Sequence, residues 1–206
     1  MDISKMTRGE IEEYLDFLLR QYRLVDGLWF LAVEDRFGLE AAVKLNEEVW
    51  ARIGTKAARE IKVRFNIRSK GIPAVLEALS YFPWSIIIPY EVEQAEDRAV
   101  LRVPNCLPQE ARLRLGRGEF PCKVMQLTEL SNFAKVIDER VEVRCRYAPP
   151  DERPGEAWCE WEFSLRKPGS KSQRPSLRGH TAEAPRSPSS TSLGGSRYRV
   201  SHFNQK

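Results

Sequence analysis

The apolar residues of this chain change their period part-way along it, and that change limits the fold more than any other feature. Up to about residue 82 they recur every three or four positions, the spacing of one helix face. From about residue 140 they alternate, the spacing of a strand with one face buried. Helices first and strands afterwards predict an α+β fold, with N-terminal helices packed on a small antiparallel sheet.

The individual elements follow from caps and breakers. Thr7 can cap a helix over 7–22, with Glu10 three positions on completing a capping box. Its stripe is Ile11, Leu15, Leu18, Leu19 and Tyr22. A second apolar segment, 24–37, carries Leu28, Trp29, Leu31, Ala32 and Val33, and Gly38 is placed to end it in a left-handed cap. A long helical run over 39–67 steps along Ala41, Leu45, Val49, Ile53 and Ala57, with Gly54 a point of weakness or kinking. A short helix over 74–81 closes at Pro83. The Ile- and Val-rich runs 84–92 and 98–103, around the polar Glu93–Asp97 turn, predict a hairpin. Helices are predicted over 107–115 and 121–137, the latter with Val124, Leu127, Leu130, Phe133 and Ala134 inward. Strands 140–147 and 157–165 are expected to pair antiparallel across the stiff Pro149–Gly155 loop. Residues 1–165 are thus one domain. From Arg166 on, Ser, Pro, Gly and Arg replace the periodic pattern, and 166–206 is expected to be a disordered basic tail.

Charge separates the two parts. Nine of the 33 Lys and Arg but only one of the 29 acidic residues lie beyond Leu165, so the preceding residues carry a net −4. An acidic folded part argues against nucleic acid as a partner, because phosphate contacts need clustered Lys and Arg. No run approaches the roughly 18 apolar residues that span a bilayer, and no secretory leader opens the sequence, so no membrane association and a cytoplasmic location are expected. In that compartment cysteines serve as ligands, nucleophiles or packed thiols rather than disulfides. Both histidines, His180 and His202, fall in the tail, which deprives the domain of its usual general base.

The four cysteines all lie between Asn105 and Phe163: Cys106, Cys122, Cys145 and Cys159, separated by 15, 22 and 13 residues. No CxxC pair is present, so a zinc ribbon is not indicated. Cys106 opens one predicted helix and Cys122 another, where the positive end of the helix dipole favours a thiolate. Cys145 and Cys159 sit on neighbouring strands and can face one side. Four thiolates meeting at one point would suit zinc or iron. The alternative is that each packs as a small apolar group. Arg112, Arg114 and Arg117, with Glu119 nearby, read either as an anion clamp and general base beside a reactive thiol or as an exposed basic helix face. Trp29, Phe30, Trp50, Tyr81, Phe82 and Trp84 either line a pocket for a flat ligand or form core. Glu34 and Asp35 are expected at a solvated helix end.

These residues also carry resemblances. The run from Cys145 through the proline loop to Gly155-Glu156-Ala157-Trp158-Cys159-Glu160-Trp161-Glu162-Phe163 resembles the closing hairpin of the 4-vinyl reductase domain. That resemblance implies an α+β domain that binds a small hydrophobic molecule and holds a metal through cysteines. The blocks Cys106–Arg112 and Gly118–Lys123 resemble an uncharacterised prokaryotic family of cytosolic proteins, similar in turn to the L-2-amino-thiazoline-4-carboxylic acid hydrolase family. The hydrolase family's acidic residue after its second cysteine has no counterpart near Lys123.

The leading expectation is a cytosolic, sensor-like domain binding a small molecule or metal at a cysteine-lined site. A cysteine-dependent hydrolase of cyclic amidine or amide C–N bonds, with Cys106 or Cys122 as nucleophile, is the second. A structural or interaction protein with packed cysteines is the third.

Overall fold

The structure, a computed structural model, describes residues 2–166. The expected tail lies outside the described residues except for Arg166. That residue follows the last strand, its N–H donating to Arg140 O at 2.8 Å and its Nε to Glu142 at 2.8 Å.

After a 3-10 turn at Ile3–Lys5 come α1 (Arg8–Phe37), α2 (Leu39–Arg64), α3 (Gly71–Ser80) and the short α4 (Pro83–Ile87). Then follow β1 (Glu91–Gln94), β2 (Arg98–Val103), α5 (Leu107–Arg114), α6 (Lys123–Ile137), β3 (Val141–Tyr147) and β4 (Cys159–Leu165). The α+β architecture is as the change of period predicts.

Several elements differ from the sequence reading, each for a local reason. The two N-terminal segments are one continuous helix of 30 residues, because Arg23 is a good helix former and nothing at the join breaks it. Its capping box is present: Thr7 Oγ1 accepts from the Glu10 N–H at 3.3 Å and Glu10 returns the contact to the Thr7 N–H at 2.7 Å. Gly38 does turn the chain with φ 84°, but ψ 164° puts it outside the left-handed helical cap. In α2 the buried face is Ala42, Trp50, Gly54, Ala58 and Ile61, one residue round from the expected stripe. Leu45 and Val49 are instead about half exposed, at 49% and 50%. Small residues decide this: α6 packs against α2, and only a face of Ala and Gly lets the backbones close up. A Cβ on Gly54 would stand 2.8 Å from Glu129 O, so this glycine is a packing device rather than a kink. The expected strand from Trp84 is helical for its first turn, since Pro83 supplies a helix-like φ and the Ile88 N–H closes onto Trp84 O at 2.8 Å. Val124 on α6 faces outward, and Met125, Leu130, Phe133, Ala134 and Ile137 face in.

The four strands form one antiparallel sheet in the order β1-β2-β4-β3. The expected pairing of the last two strands is found, with Val143 opposite Phe163 and Cys145 opposite Trp161. Across β4 the register continues to Leu101 opposite Trp161 and Val103 opposite Cys159. Directly opposed residues share a face, so Cys145 and Cys159 do lie on the same side of the sheet. That side packs on α3 and α6, and α2 covers α6 in turn. Asp138 fixes the α6–β3 turn, accepting from the Gly71 N–H at 2.7 Å and from Arg140 Nη2 at 2.7 Å. The opposite face carries alternating charges: Glu160, buried, receives Arg102 Nε at 2.9 Å and Arg146 Nη1 at 2.5 Å.

Helix α1 is unlike the rest. None of its residues is buried. Ile11, Leu15, Leu18, Tyr22, Val25 and Trp29, alternately four and three apart, are all exposed, Trp29 by 72%.

Candidate functional site

Where β2 runs out, Cys106 takes an extended conformation (φ −110°) at the N-cap of α5, and the Glu110 N–H donates to its carbonyl at 2.9 Å. Gln109, fully buried, ties α5 to the turn before α6. Its Nε2 donates to Phe120 O at 2.7 Å, its Oε1 accepts from the Phe120 N–H at 2.9 Å, and Nε2 also reaches Cys122 Sγ at 3.6 Å. Cys122 is thereby held at the N-cap of α6. The proline loop braces the same point, with Lys123 N–H donating to Pro149 O at 3.1 Å and Lys123 Nζ to Asp151 at 2.7 Å. Cys159 begins β4, and its sulfur accepts the Trp161 indole N–H at 3.1 Å.

Cys106, Cys122 and Cys159 line one inner cavity of about 100 Å³. Cys145 is not on that wall and packs, partly buried, against the core. Three of the four cysteines thus share one cavity wall. They are not gathered as a metal site: among the described residues no three His, Cys, Asp or Glu side chains are grouped so as to hold an ion. The thiols are also not poised as thiolates. Burial pushes Cys106 up to about 11, Cys122 to about 12 and Cys145 to about 11, and raises Cys159 as well. Desolvation therefore outweighs the helix dipole expected to favour a thiolate at Cys122.

The arginines do other work. Arg112 is neither a free clamp nor an exposed helix residue: it is buried and forks onto Glu34 at 2.5 and 3.0 Å, with Nε on Gly118 O at 3.2 Å. Glu34 is accordingly well shielded rather than solvated, and the Arg112 hydrogen bonds hold its carboxyl below the usual range. Arg117 pairs with Asp35 at 2.7 Å. Arg114 is exposed, 3.8 Å from Glu110. Glu119 pairs with Arg153 at 3.2 Å and does not line the cavity, so it is not placed as a base for the thiols.

The cavity's polar wall was not anticipated. Asp26 from α1 and Glu129 from α6 both line it, together with Asn46, Gln126, Trp50, Trp84 and Tyr90. Glu129 is only 4% exposed; its Oε2 accepts Gln126 Nε2 at 2.9 Å, and its Oε1 has no partner among the described residues. Burial, then the neighbouring Asp26, raises Glu129 to about 8. Burial raises Asp26 to about 6, partly offset by the Trp50 hydrogen bond. Tyr22 and Tyr90 lie within the same field and are pushed up by burial and then by Glu129, Tyr22 to about 12. One sequence signal marks Glu129: it is a carboxylate at the right helical spacing within the buried stripe Met125, Leu130, Phe133, Ala134. Of the expected aromatic pocket, Trp50 and Trp84 line the inner cavity, with ring centroids 5.8 Å apart, while Phe30 lines the outer cleft and Phe82 is core. Trp29 is exposed, and Tyr81 is half exposed and stacks on Phe65 at 3.8 Å.

A second, outer cleft of about 390 Å³ lies between α1 and α5. It shares Asp26, Asn46, Trp84, Pro108 and Phe120 with the inner cavity; its other walls are mostly apolar, Leu24, Leu28, Leu31, Leu107 and Leu115 among them, with Arg23, Arg112 and Arg114 also on the lining. Together they make a largely apolar route, flanked by arginines in the outer cleft, that ends at two carboxyl groups.

Among the described residues no helix is long and apolar enough to cross a membrane. No curated protein matches the chain. The model of the Family of unknown function (DUF6125) matches residues 5–165, most of the sequence and all of the cavity-forming elements, and the chain belongs to that family.

Proposed function

We propose that residues 5–165 form a cytoplasmic, sensor-like domain that binds a small, largely apolar molecule at a cysteine-lined site. The observation that carries this reading is the outer cleft leading onto the inner cavity, with Cys106, Cys122 and Cys159 on its wall. The cleft falls within the range typical of ligand sites, about 300–1,000 Å³, and its lining is mostly apolar, with Asp26, Asn46, Arg23, Arg112 and Arg114 as its polar groups. The resemblance to the 4-vinyl reductase domain, whose members take small hydrophobic ligands, accords with it. Among the described residues the thiols of Cys106, Cys122, Cys145 and Cys159 are not grouped to hold zinc or iron, so the reading rests on the small molecule.

The test is saturable binding of small aromatic probes, read by quenching of indole fluorescence and by ligand-observed NMR, repeated on Cys106→Phe, which fills the cavity. Binding that the filled variant loses supports the reading; probes that fail to saturate, or that bind both proteins equally, refute it.

A C–N hydrolase related to the L-2-amino-thiazoline-4-carboxylic acid hydrolase family is the second reading. It is favoured by the two candidate nucleophiles, Cys106 and Cys122, sharing a cavity with Glu129, a carboxyl raised to about 8 and so able to donate a proton near neutral pH.

A further inference from the structure

Three carboxylates are buried among the described residues, Glu129, Asp138 and Glu160. Two of them hold arginine: Asp138 pairs with Arg140 at 2.7 Å, and Glu160 with Arg146 at 2.5 Å and Arg102 at 2.9 Å. Glu129 holds no cation, and among the described residues no Lys, Arg or His lines its cavity. Its Oε1 is buried without a donor among them. A buried acceptor left unpaired costs about 1–3 kcal/mol, which is why such atoms are rare in folded proteins and point to a partner. The second carboxyl, Asp26, reaches the same space from a different helix. Two acids facing one cavity without a countercharge repel an anionic guest and attract a cationic one.

The remaining walls suit the same guest. Trp50 and Trp84 meet edge to face at 5.8 Å, and Tyr22 lies 6.4 and 6.0 Å from them. Aromatic faces around a desolvated cation add to its binding. The inner cavity, about 100 Å³, accommodates a headgroup and little more. The rest of a ligand must run past Phe120 and Pro108 into the outer cleft, where leucines take an apolar tail and the three arginines of the lining, Arg23, Arg112 and Arg114, leave no place for a second cation.

We infer that the site takes a small primary amine with an apolar tail, its ammonium group between Glu129 and Asp26 and its tail in the cleft beneath α1. This rests on the small-molecule-binding reading above and specifies its ligand class. Primary amines stay protonated well above neutral pH, so the group that changes on binding is the protein's. Tyr22, Tyr90, Cys106, Cys122 and Cys159 are the other titratable groups facing Glu129 or its cavity, and burial keeps all five neutral through the range. Amine binding therefore releases a proton from the carboxyl pair and tightens as pH rises from 6 to 8.

The experiment compares 2-phenylethylamine with its neutral counterpart 2-phenylethanol by calorimetry on the full chain at pH 7.5, in two buffers of different ionisation enthalpy. The expected result is amine affinity at least ten-fold above the alcohol's, with proton release, and a ratio near one in Glu129→Gln. Asp26→Asn, whose exchange leaves α6 untouched, should lower the ratio in the same direction and stands in if the first variant does not fold. Equal affinity for the two probes in the unaltered protein overturns the amine assignment and leaves the cavity reading standing. Binding of neither probe overturns both.

Discussion

Replacing Gly54 by alanine tests the packing that sets Glu129 in place. In an exposed helix the exchange stabilises by about 1 kcal/mol, because alanine has the better helix propensity. At Gly54 the added Cβ meets Glu129 O at 2.8 Å, Glu129 Cγ at 3.1 Å and the Glu129 carbonyl carbon at 3.3 Å. Two of those atoms are backbone of α6, which cannot swing aside as a side-chain tip can. Overpacking of a tight interior costs about 1–3 kcal/mol, and a backbone obstacle places this case in the upper part of that range. The balance is a net loss of about 1–2 kcal/mol, or a Tm lowered by about 2–8 °C at this chain length. A methyl group added at Gly27 in α1 would meet nothing within 4 Å, so Gly27→Ala should gain up to about 1 kcal/mol. Urea midpoints of the two variants should therefore move in opposite directions. If Gly54→Ala is as stable as the parent, α2 and α6 do not approach as closely as described, and the positioning of Glu129 loses its basis.

Removing the guanidinium in Arg112→Leu strands Glu34, and denaturant unfolding should show a loss of about 3–5 kcal/mol, with Arg112→Lys rescuing only part because it cannot fork. Stability should fall from pH 5 to 8: folded Glu129 keeps its proton up to about 8 and Asp26 to about 6, while the unfolded chain releases both near 4, so rising pH favours unfolding through that window. Urea midpoints at pH 5, 6.5 and 8 should show this slope in the parent and a flatter one in Glu129→Gln; a flat parent profile would refute the shift. Alkylation of the native protein at pH 7.5 should be slow at all four cysteines and fast only after unfolding, since burial keeps them protonated. One rapidly labelled cysteine in the native state would instead favour the hydrolase reading.

Much of the architecture was legible because it rests on periods and caps that act locally. Thr7 and Glu10 announce the start of α1, and alternation at Val141, Val143 and Cys145 announces β3 and the face it buries. What could not be read was which flank of a helix another helix would choose. In α2 the larger residues Leu45 and Val49 outline a plausible stripe, yet Gly54 and Ala58 win because closeness, not side-chain size, decides that contact. The site was half legible for the same reason. Cysteines gathered in one third of the chain suggested a common point, and three share a cavity wall. Asp26 and Glu129 are 103 positions apart in the numbering and join only through tertiary packing. Arg112 looked available because its partner, Glu34, comes from a helix 78 residues earlier.

Helix α1 contributes Asp26, Leu24, Leu28 and Leu31 to the binding route while surrendering none of its residues to the interior. Its C-terminal end is pinned by the Arg112–Glu34 pair, but the part before it leaves Ile11, Leu15 and Leu18 exposed and detaches at a lower free energy than the body of the molecule. Its amide protons should exchange sooner than those of α6. Passage into the inner chamber then follows the breathing of α1 rather than the width of a fixed doorway, and any guest that pins the helix slows its own departure.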